Sequence, residues 1–305
     1  MNWIDYELYL DIYPPKEFKF EECLIFLGRS EQEVLHQIKD KAIYKLIKVK
    51  ESFILCKIEY INHCIKVEFP YGDPSIVERK KVGEFIWEWF DLDQDLGQFY
   101  QMARNDKILT KPVEKYAGLR IMCIPDLFEA LVWAIIGQQI NLSFAYTLKQ
   151  RFVEQFGEFL TFEGETFWVF PSAEKIASLN VEDLRKLQIT KRKAEYIIGV
   201  AKEMKSGRLT KELLLEKNDY EQVQKSLMFI RGIGAWTADY VMMKCLHYTS
   251  SFPIADVGLH NALKNLLNLK EKPKIAEIEE YAKNWEGWQA YATFYLWRSL
   301  YDKTI

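Results

Sequence analysis

Residues Ile230 to Tyr240 read IRGIGAWTADY. Two glycines, Gly232 and Gly234, sit one residue apart and run straight into WTADYVMMKCL, a segment with helical character. Glycine lets the backbone turn with positive φ and keeps side chains away from an incoming group. The first amides of the helix then point back at the turn, and amides at a helix start beside a glycine turn form a site for an anion such as phosphate. A G-x-G turn alone is weak evidence for such a site and reads first as a tight corner between two helices.

Outward from this stretch, the chain divides. Of 305 residues, 49% are hydrophobic, enough for a substantial core, and the length suggests about two domains. Toward the N-terminus the pattern has period two: Tyr6, Leu8, Leu10 and Ile12 share one face, as do Ile54, Cys56, Ile58 and Tyr60, and Ile65, Val67 and Phe69. Such alternation predicts half-buried antiparallel strands. From Glu84 to Met102 the period lengthens toward that of a helix, and Pro112 and Gly118 then break regular structure, which places a domain boundary there. After Pro125 the chain reads as helices with start signals: Ser172 before AEKIASL, Asn180 before VEDLRKL, and Asp219 with Gln222 three residues on. The expected architecture is mostly α, with an N-terminal α+β domain of antiparallel sheet and helix over residues 1–112 and an all-helical region over 113–305.

Composition excludes several classes. No apolar run approaches the roughly 20 residues of a membrane span and the N-terminus is acidic, so a cytoplasmic protein with no membrane partner is expected. The five cysteines, Cys23, Cys56, Cys64, Cys123 and Cys245, form no C-x-x-C pair and read as buried small hydrophobes. The four histidines form no H-E-x-x-H, which argues against a zinc hydrolase. A net charge of −3 argues against non-specific coating of nucleic acid. Lys191-Arg192-Lys193 and the group Lys264, Lys270, Lys272 and Lys274 could still form a local basic face or merely a solvated surface.

Asp256, in SFPIADVGLHNAL, precedes another helical run. The pattern L-x-x-I-R-G-I-G-x-W-T-A-x-x-V followed by F-P-x-x-D-x-G-L resembles the helix-hairpin-helix DNA glycosylase superfamily, and within it the bacterial 3-methyladenine DNA glycosylase II group. The resemblance continues through FEALVWAIIGQQIN (128–141) and WQAYATFYLW (288–297), covering roughly residues 113 to 300. It implies two helical subdomains with an active-site cleft between them, and a loosely similar N-terminal sheet domain.

Carried over residue by residue, the resemblance makes Ile230, Arg231, Gly232, Ile233, Gly234 and Ala235 a hairpin that holds a DNA phosphate. Carbonyls of Met228, Ile230 and Ile233 would hold a sodium or potassium ion, the one cofactor implied. Asp256 becomes the catalytic carboxylate, stabilising positive charge that builds on the sugar as the N-glycosidic bond breaks and helping to orient water. It also reads as the N-cap of VGLHNAL, and the two roles are compatible. Relatives that cut the DNA backbone carry a lysine nucleophile at the position of Trp236. An indole cannot form a Schiff base, so a monofunctional enzyme is expected. Trp236, Tyr240 and Trp297 would wall a pocket for a flipped base, suited to cationic alkylated purines. The wedge that fills the gap in the base stack falls on Gln139 or Ile140; glutamine at 139 departs from the apolar residue of the best-known member. No cysteine follows Cys245, so the iron-sulfur subgroup is excluded.

The expected function is excision of 3-methyladenine and related bases from double-stranded DNA, leaving an abasic site, by a monomer. An oxidised-guanine glycosylase and a non-catalytic helix-hairpin-helix DNA-binding protein are the alternatives.

Overall fold

The computed structural model describes residues 1–302. Its first unit is a six-stranded sheet of β1 (Trp3–Asp5), β2 (Tyr9–Ile12), β3 (Gln37–Lys39), β4 (Ala42–Val49), β5 (Ser52–Ile61) and β6 (Cys64–Tyr71). The strands lie in the order β1-β2-β6-β5-β4-β3, and every pairing is antiparallel. α1 (Phe20–Leu27) lies between β2 and β3 in sequence, and α2 (Ile76–Trp89), α3 (Gly97–Arg104) and α4 (Thr110–Lys115) follow the sheet.

Alternation correctly orients the strand faces: Ile54, Cys56, Ile58, Ile65 and Val67 are buried in the main core. It misplaces the first strand. Tyr6 and Leu8 are exposed, because Glu7, with φ 68°, turns the chain between β1 and β2, and only Leu10 and Ile12 reach the core.

Past this unit come α5 (Leu127–Gly137) and α6 (Leu142–Phe156), then strands β7 (Glu158–Phe162) and β8 (Glu165–Val169). The region 113–305 is therefore not all helical. Glu163 and Gly164, both with positive φ (51° and 81°), form the two-residue turn of this hairpin. Phe167 packs with Leu46 and Leu55 of β4 and β5 in a small second core. The hairpin thus covers the sheet face opposite the main core.

The remaining helices are α7 (Ala173–Ala177), α8 (Val181–Arg185), α9 (Lys191–Lys205), α10 (Lys211–Leu215), α11 (Tyr220–Met228), α12 (Ala235–Lys244), α13 (Val257–Leu266), α14 (Ile275–Ala282) and α15 (Gln289–Arg298). Ser172, Asn180 and Asp219 cap α7, α8 and α11 as expected, although only Asn180, with Asp183, completes a reciprocal box. α5 is buried all round from Ala130 to Ile136, as a central helix must be. It packs against α6, α9 and α12, while α13 and α15 pack together across the cleft. Lys193 corrects the basic-face expectation: it is buried, and its Nζ donates to the carbonyl of Ile136 at 2.8 Å, capping the end of α5.

The segment around Pro112 and Gly118, expected to be irregular, carries α4 and is tied into the first unit. Gly118 accepts the Lys19 amide at 3.0 Å and donates its own amide to the Tyr100 hydroxyl at 3.0 Å. One continuous core runs from Leu10 of the sheet to Trp297 of α15. Ions are buried where sheet and helices meet. Lys149 pairs with Glu33 at 2.9 Å, and Lys244 donates to the carbonyl of Met122. Burial lowers the Lys244 ammonium to about 7. Among the described residues, no helix is long and apolar enough to cross a membrane.

At Gly118, φ is +90° and a Cβ would lie 2.1 Å from the Glu17 carbonyl oxygen, so Gly118→Ala should cost about 2–4 kcal/mol in urea unfolding. Gly164→Ala, at φ +81° but in open space, should cost only about 1 kcal/mol. Between pH 7 and 10 the unfolded chain holds a proton at Lys244 that the folded chain has released. Unfolding therefore takes up a proton there, and this group's contribution to stability rises with pH. The thermal midpoint of Lys244→Met should accordingly gain less between pH 7 and pH 9 than that of the unsubstituted protein.

Candidate active site

α11 and α12 are the two helices of the hairpin, and the stretch between them has the geometry its glycines suggested. Gly232 has φ +97°, and a Cβ there would lie 2.2 Å from the ring of Tyr196, so both conformation and space demand glycine. Gly234 N-caps α12 with no side-chain hydrogen bond and with open space where a Cβ would stand. The first amides of α12 are left without a capping side chain, facing an exposed notch suited to an anion. Ile230 and Ala235 flank this notch, and Ile233 anchors it in the core. Arg231 is exposed and holds Glu195 at 2.9 Å, a surface pair that a phosphate could replace.

Three further contacts stiffen the hairpin. The buried Asp239 carboxylate accepts from the Tyr220 hydroxyl at 2.6 Å and the Gln224 amide at 2.7 Å, locking α11 to α12. Gln138 donates through Nε2 to the Gly232 carbonyl at 2.9 Å and to Thr237 Oγ1 at 3.1 Å. That side chain, not singled out in the sequence, ties the loop after α5 to the hairpin. Next to it, Gln139 stands exposed at the loop tip with φ 56°, whereas Ile140 is half-buried against the core. Of the two wedge candidates, Gln139 is therefore the one presented outward.

The carbonyl of Ile230 accepts the Ile233 amide at 3.1 Å, while those of Met228 and Ile233 accept no backbone amide among the described residues. Hard oxygen donors on one tight turn fit a monovalent cation. A different cluster, Asp91, Cys123 and His247, brings metal-ligating atoms within 4.8 Å of one another. There His247 already faces Asp91 through Nδ1 at 2.7 Å and Glu88 through Nε2 at 3.2 Å. These carboxylates, with the Cys123 thiol, hold the imidazole well above its ordinary pKa despite burial, so the cluster works as an internal ion clasp.

Asp256 N-caps α13, its Oδ1 accepting the Leu259 amide at 2.9 Å. The same oxygen accepts from Trp297 Nε1 at 2.8 Å, and Oδ2 accepts from Trp236 Nε1 at 3.2 Å. Two indoles from opposite sides of the cleft, on α12 and α15, thus aim one half-buried carboxylate. Charge-assisted bonds of this kind contribute about 1.5–3 kcal/mol each and fix the direction of the carboxylate. Tyr240 lies between the indoles, its ring centroid 5.6 Å from that of Trp236 and 6.2 Å from that of Trp297. Its hydroxyl accepts from Trp133 Nε1 at 2.8 Å, and burial pushes its pKa up, so it serves as a neutral wall and not as a base.

Gly258 was not foreseen. A Cβ there would lie 2.8 Å from Asp256 Oδ1 and 3.2 Å from the Trp297 indole. The D-x-G spacing carries the signal: the second residue after the carboxylate must leave room for the indole that holds it.

A family model described as HhH-GPD superfamily base excision DNA repair protein matches residues 132–287. A second, the 8-oxoguanine DNA glycosylase N-terminal domain, matches residues 12–131. The chain is 44% identical to a DNA-3-methyladenine glycosylase of Bacillus subtilis, over 99% of this chain and all of that protein. The structure of a 3-methyladenine DNA-glycosylase from Archaeoglobus fulgidus superposes with a TM-score of 0.79 at 24% identity, covering 97% of this chain and 98% of that one. A Clostridium acetobutylicum 8-oxoguanine glycosylase/lyase, solved with double-stranded DNA, superposes with a TM-score of 0.73 at 19% identity over 99% and 100%. Both share the fold. With half of its length matched by the first model and a near full-length relative at this identity, the chain belongs to the HhH-GPD superfamily of base excision DNA repair proteins.

Proposed function

We propose that this protein is a DNA glycosylase that flips alkylated purines, chiefly 3-methyladenine, out of double-stranded DNA and hydrolyses their N-glycosidic bond to leave an abasic site. The observation that carries the reading is the carboxylate of Asp256, aimed by two indoles at an aromatic-walled cleft beside the uncapped amides of the hairpin. Phosphate on those amides positions the duplex without reading sequence. A flipped base then enters among Trp236, Tyr240 and Trp297, whose π faces favour the positive charge of an alkylated purine. As the C1′–N bond breaks, positive charge grows on the sugar and the fixed carboxylate stabilises it, with water adding at C1′. The cationic base departs neutral, so no acid is needed for it.

Gln139 at the loop tip fills the vacated stack, offering hydrogen bonds where a relative has an apolar side chain. A sodium or potassium ion on the carbonyls of Met228, Ile230 and Ile233 would brace the hairpin against the backbone phosphate. The protein acts as a monomer in the cytoplasm. The match of its N-terminal part to the 8-oxoguanine glycosylase domain favours oxidised guanine as a second reading. Trp236, standing where a backbone-cutting relative needs its lysine amine, weighs against that reading and against any lyase step.

On DNA treated with a methylating agent, the wild type should release free 3-methyladenine, with strand breaks appearing only after alkali. Asp256→Asn should lose release by about 10²–10³-fold while binding DNA as before. Breaks without alkali would overturn the monofunctional mechanism, and absence of release would overturn the substrate assignment. Gly258→Ala, which displaces the carboxylate without removing it, should lose about 10–100-fold in single-turnover rate with unchanged DNA affinity.

A further inference from the structure

The ion clasp of Asp91, Cys123 and His247 leaves one of its members unused. Both ring nitrogens of His247 face carboxylates, Nδ1 towards Asp91 Oδ1 at 2.7 Å and Nε2 towards Glu88 Oε1 at 3.2 Å. An imidazolium has only those two N–H groups to give. Cys123 Sγ lies 3.6 Å from the same Nδ1 and has no other partner among the described residues. The thiol is buried, and so is Asp91. A clasp of hydrogen-bonded ions needs the imidazole and the two carboxylates, and it gives the sulfur nothing to do.

The three side chains also fit a metal centre. One ligand atom from each lies within 4.8 Å of the other two. Ligands of a tetrahedral zinc stand about 2.0–2.3 Å from the ion, which separates them from one another by roughly 3.4–3.6 Å. Sγ and Nδ1 are already at that spacing, and Nδ1 and Oδ1 would part by about 0.7 Å. The outer contacts suit such a centre. Glu88, accepting at Nε2, leaves Nδ1 free to ligate, as a carboxylate behind a metal-bound histidine does. Tyr291 of α15 donates to Asp91 Oδ2 at 2.6 Å, which leaves Oδ1 for the ion. Lys211 balances Glu88. An entering dication displaces one proton from Nδ1 and one from the thiol, so the net charge of the cluster does not change. The backbone supports the same reading. Asp91 and His247 stand just past the ends of α2 and α12 with φ 49° and 60°, a conformation that glycine would adopt without strain. Side chains kept at strained positions mark a use for them. His247 keeps 24% of its side chain exposed, which gives an ion a way in and leaves room for a water ligand.

We propose that Asp91 Oδ1, Cys123 Sγ and His247 Nδ1 form a zinc site, with water as the fourth ligand, that fastens the N-terminal unit to the foot of α12. A thiolate with an imidazole selects zinc over magnesium or calcium. The ligands come from the end of α2, the segment between α4 and α5, and the turn after α12, so no close spacing in the sequence marks the site. Because α12 begins at the glycine hairpin, the ion would hold the far end of the helix whose first amides form the notch. The site shares no residue with the cleft of Asp256, and the inference does not depend on the glycosylase reading.

The test is zinc binding by the full chain after dialysis against a chelator, measured by competition with a colorimetric chelator, with cobalt(II) as the spectroscopic probe. One equivalent of zinc should bind, and cobalt should show a thiolate-to-metal charge-transfer band. Cys123→Ala should lose the band and weaken zinc binding by more than about 100-fold, whereas Glu88→Gln, which alters only the outer partner, should weaken it about 10–100-fold. Cys245→Ala, which removes another buried thiol near His247, should bind zinc as the wild type does. Zinc should raise the thermal midpoint of the wild type and leave that of Cys123→Ala unmoved. A wild type that holds no stoichiometric ion overturns the proposal and leaves the cluster an ion clasp alone. Zinc binding that survives Cys123→Ala, or a wild-type cobalt complex without the thiolate band, overturns it as well.

Discussion

Everything at the cleft depends on how one carboxylate is held. Asp256 is fastened by the Leu259 amide of its own helix, by Trp297 of α15 and by Trp236 of α12. The first two contacts belong to one side of the cleft and the third to the other, so the same bonds that orient the carboxylate also span the two helical groups. All the donors are neutral. They add no positive charge beside the carboxylate, as an arginine partner would. The cost appears in the packing: Gly258 must lack a side chain, because the indole of Trp297 and the carboxylate occupy its space.

The glycine hairpin and the loop after α5 are likewise one assembly. Gln138 grips the hairpin at Gly232 and Thr237, while the next residue, Gln139, is forced into a left-handed conformation at the exposed tip. The exposed Gln139 is thereby held at a fixed place relative to the first amides of α12. The N-terminal sheet, in turn, is more than a buttress. Its core is continuous with that of the helices, and Lys45 of β4 lines, together with Tyr240, a cavity at the junction. Burying Lys45 and Glu33 at that junction carries a desolvation cost.

Local sequence showed much of this. The glycine turn, the helix starts at Ser172, Asn180, Asp219 and Asp256, and the faces of β5 and β6 all follow from short-range rules. Two misses were also local. EFLTFEGETFWV contains alternation about a Glu-Gly turn, a hairpin signature overlooked amid helical segments. Tyr6 and Leu8 obeyed period two yet belong to a turn, because alternation over a few residues does not distinguish one long strand from two short ones. Lys193 was misread for another reason: whether a cation in a basic run is solvated or caps a neighbouring helix depends on what packs above it.

The sequence by itself determined that this chain builds a glycine-cornered hairpin, that a carboxylate opens the following helix, and that no amine stands where a Schiff base would form. These are properties of residue type and spacing, and a backbone amide or an absent lysine needs no tertiary context. Only the tertiary structure decided that Trp236 and Trp297 share the carboxylate, that Gly258 makes room for it and for Trp297, and that Gln138 and not Gln139 holds the hairpin. Contacts between groups so distant in sequence leave no periodic trace in it. They arise from packing, which fixes where each side chain ends and which partner it finds there.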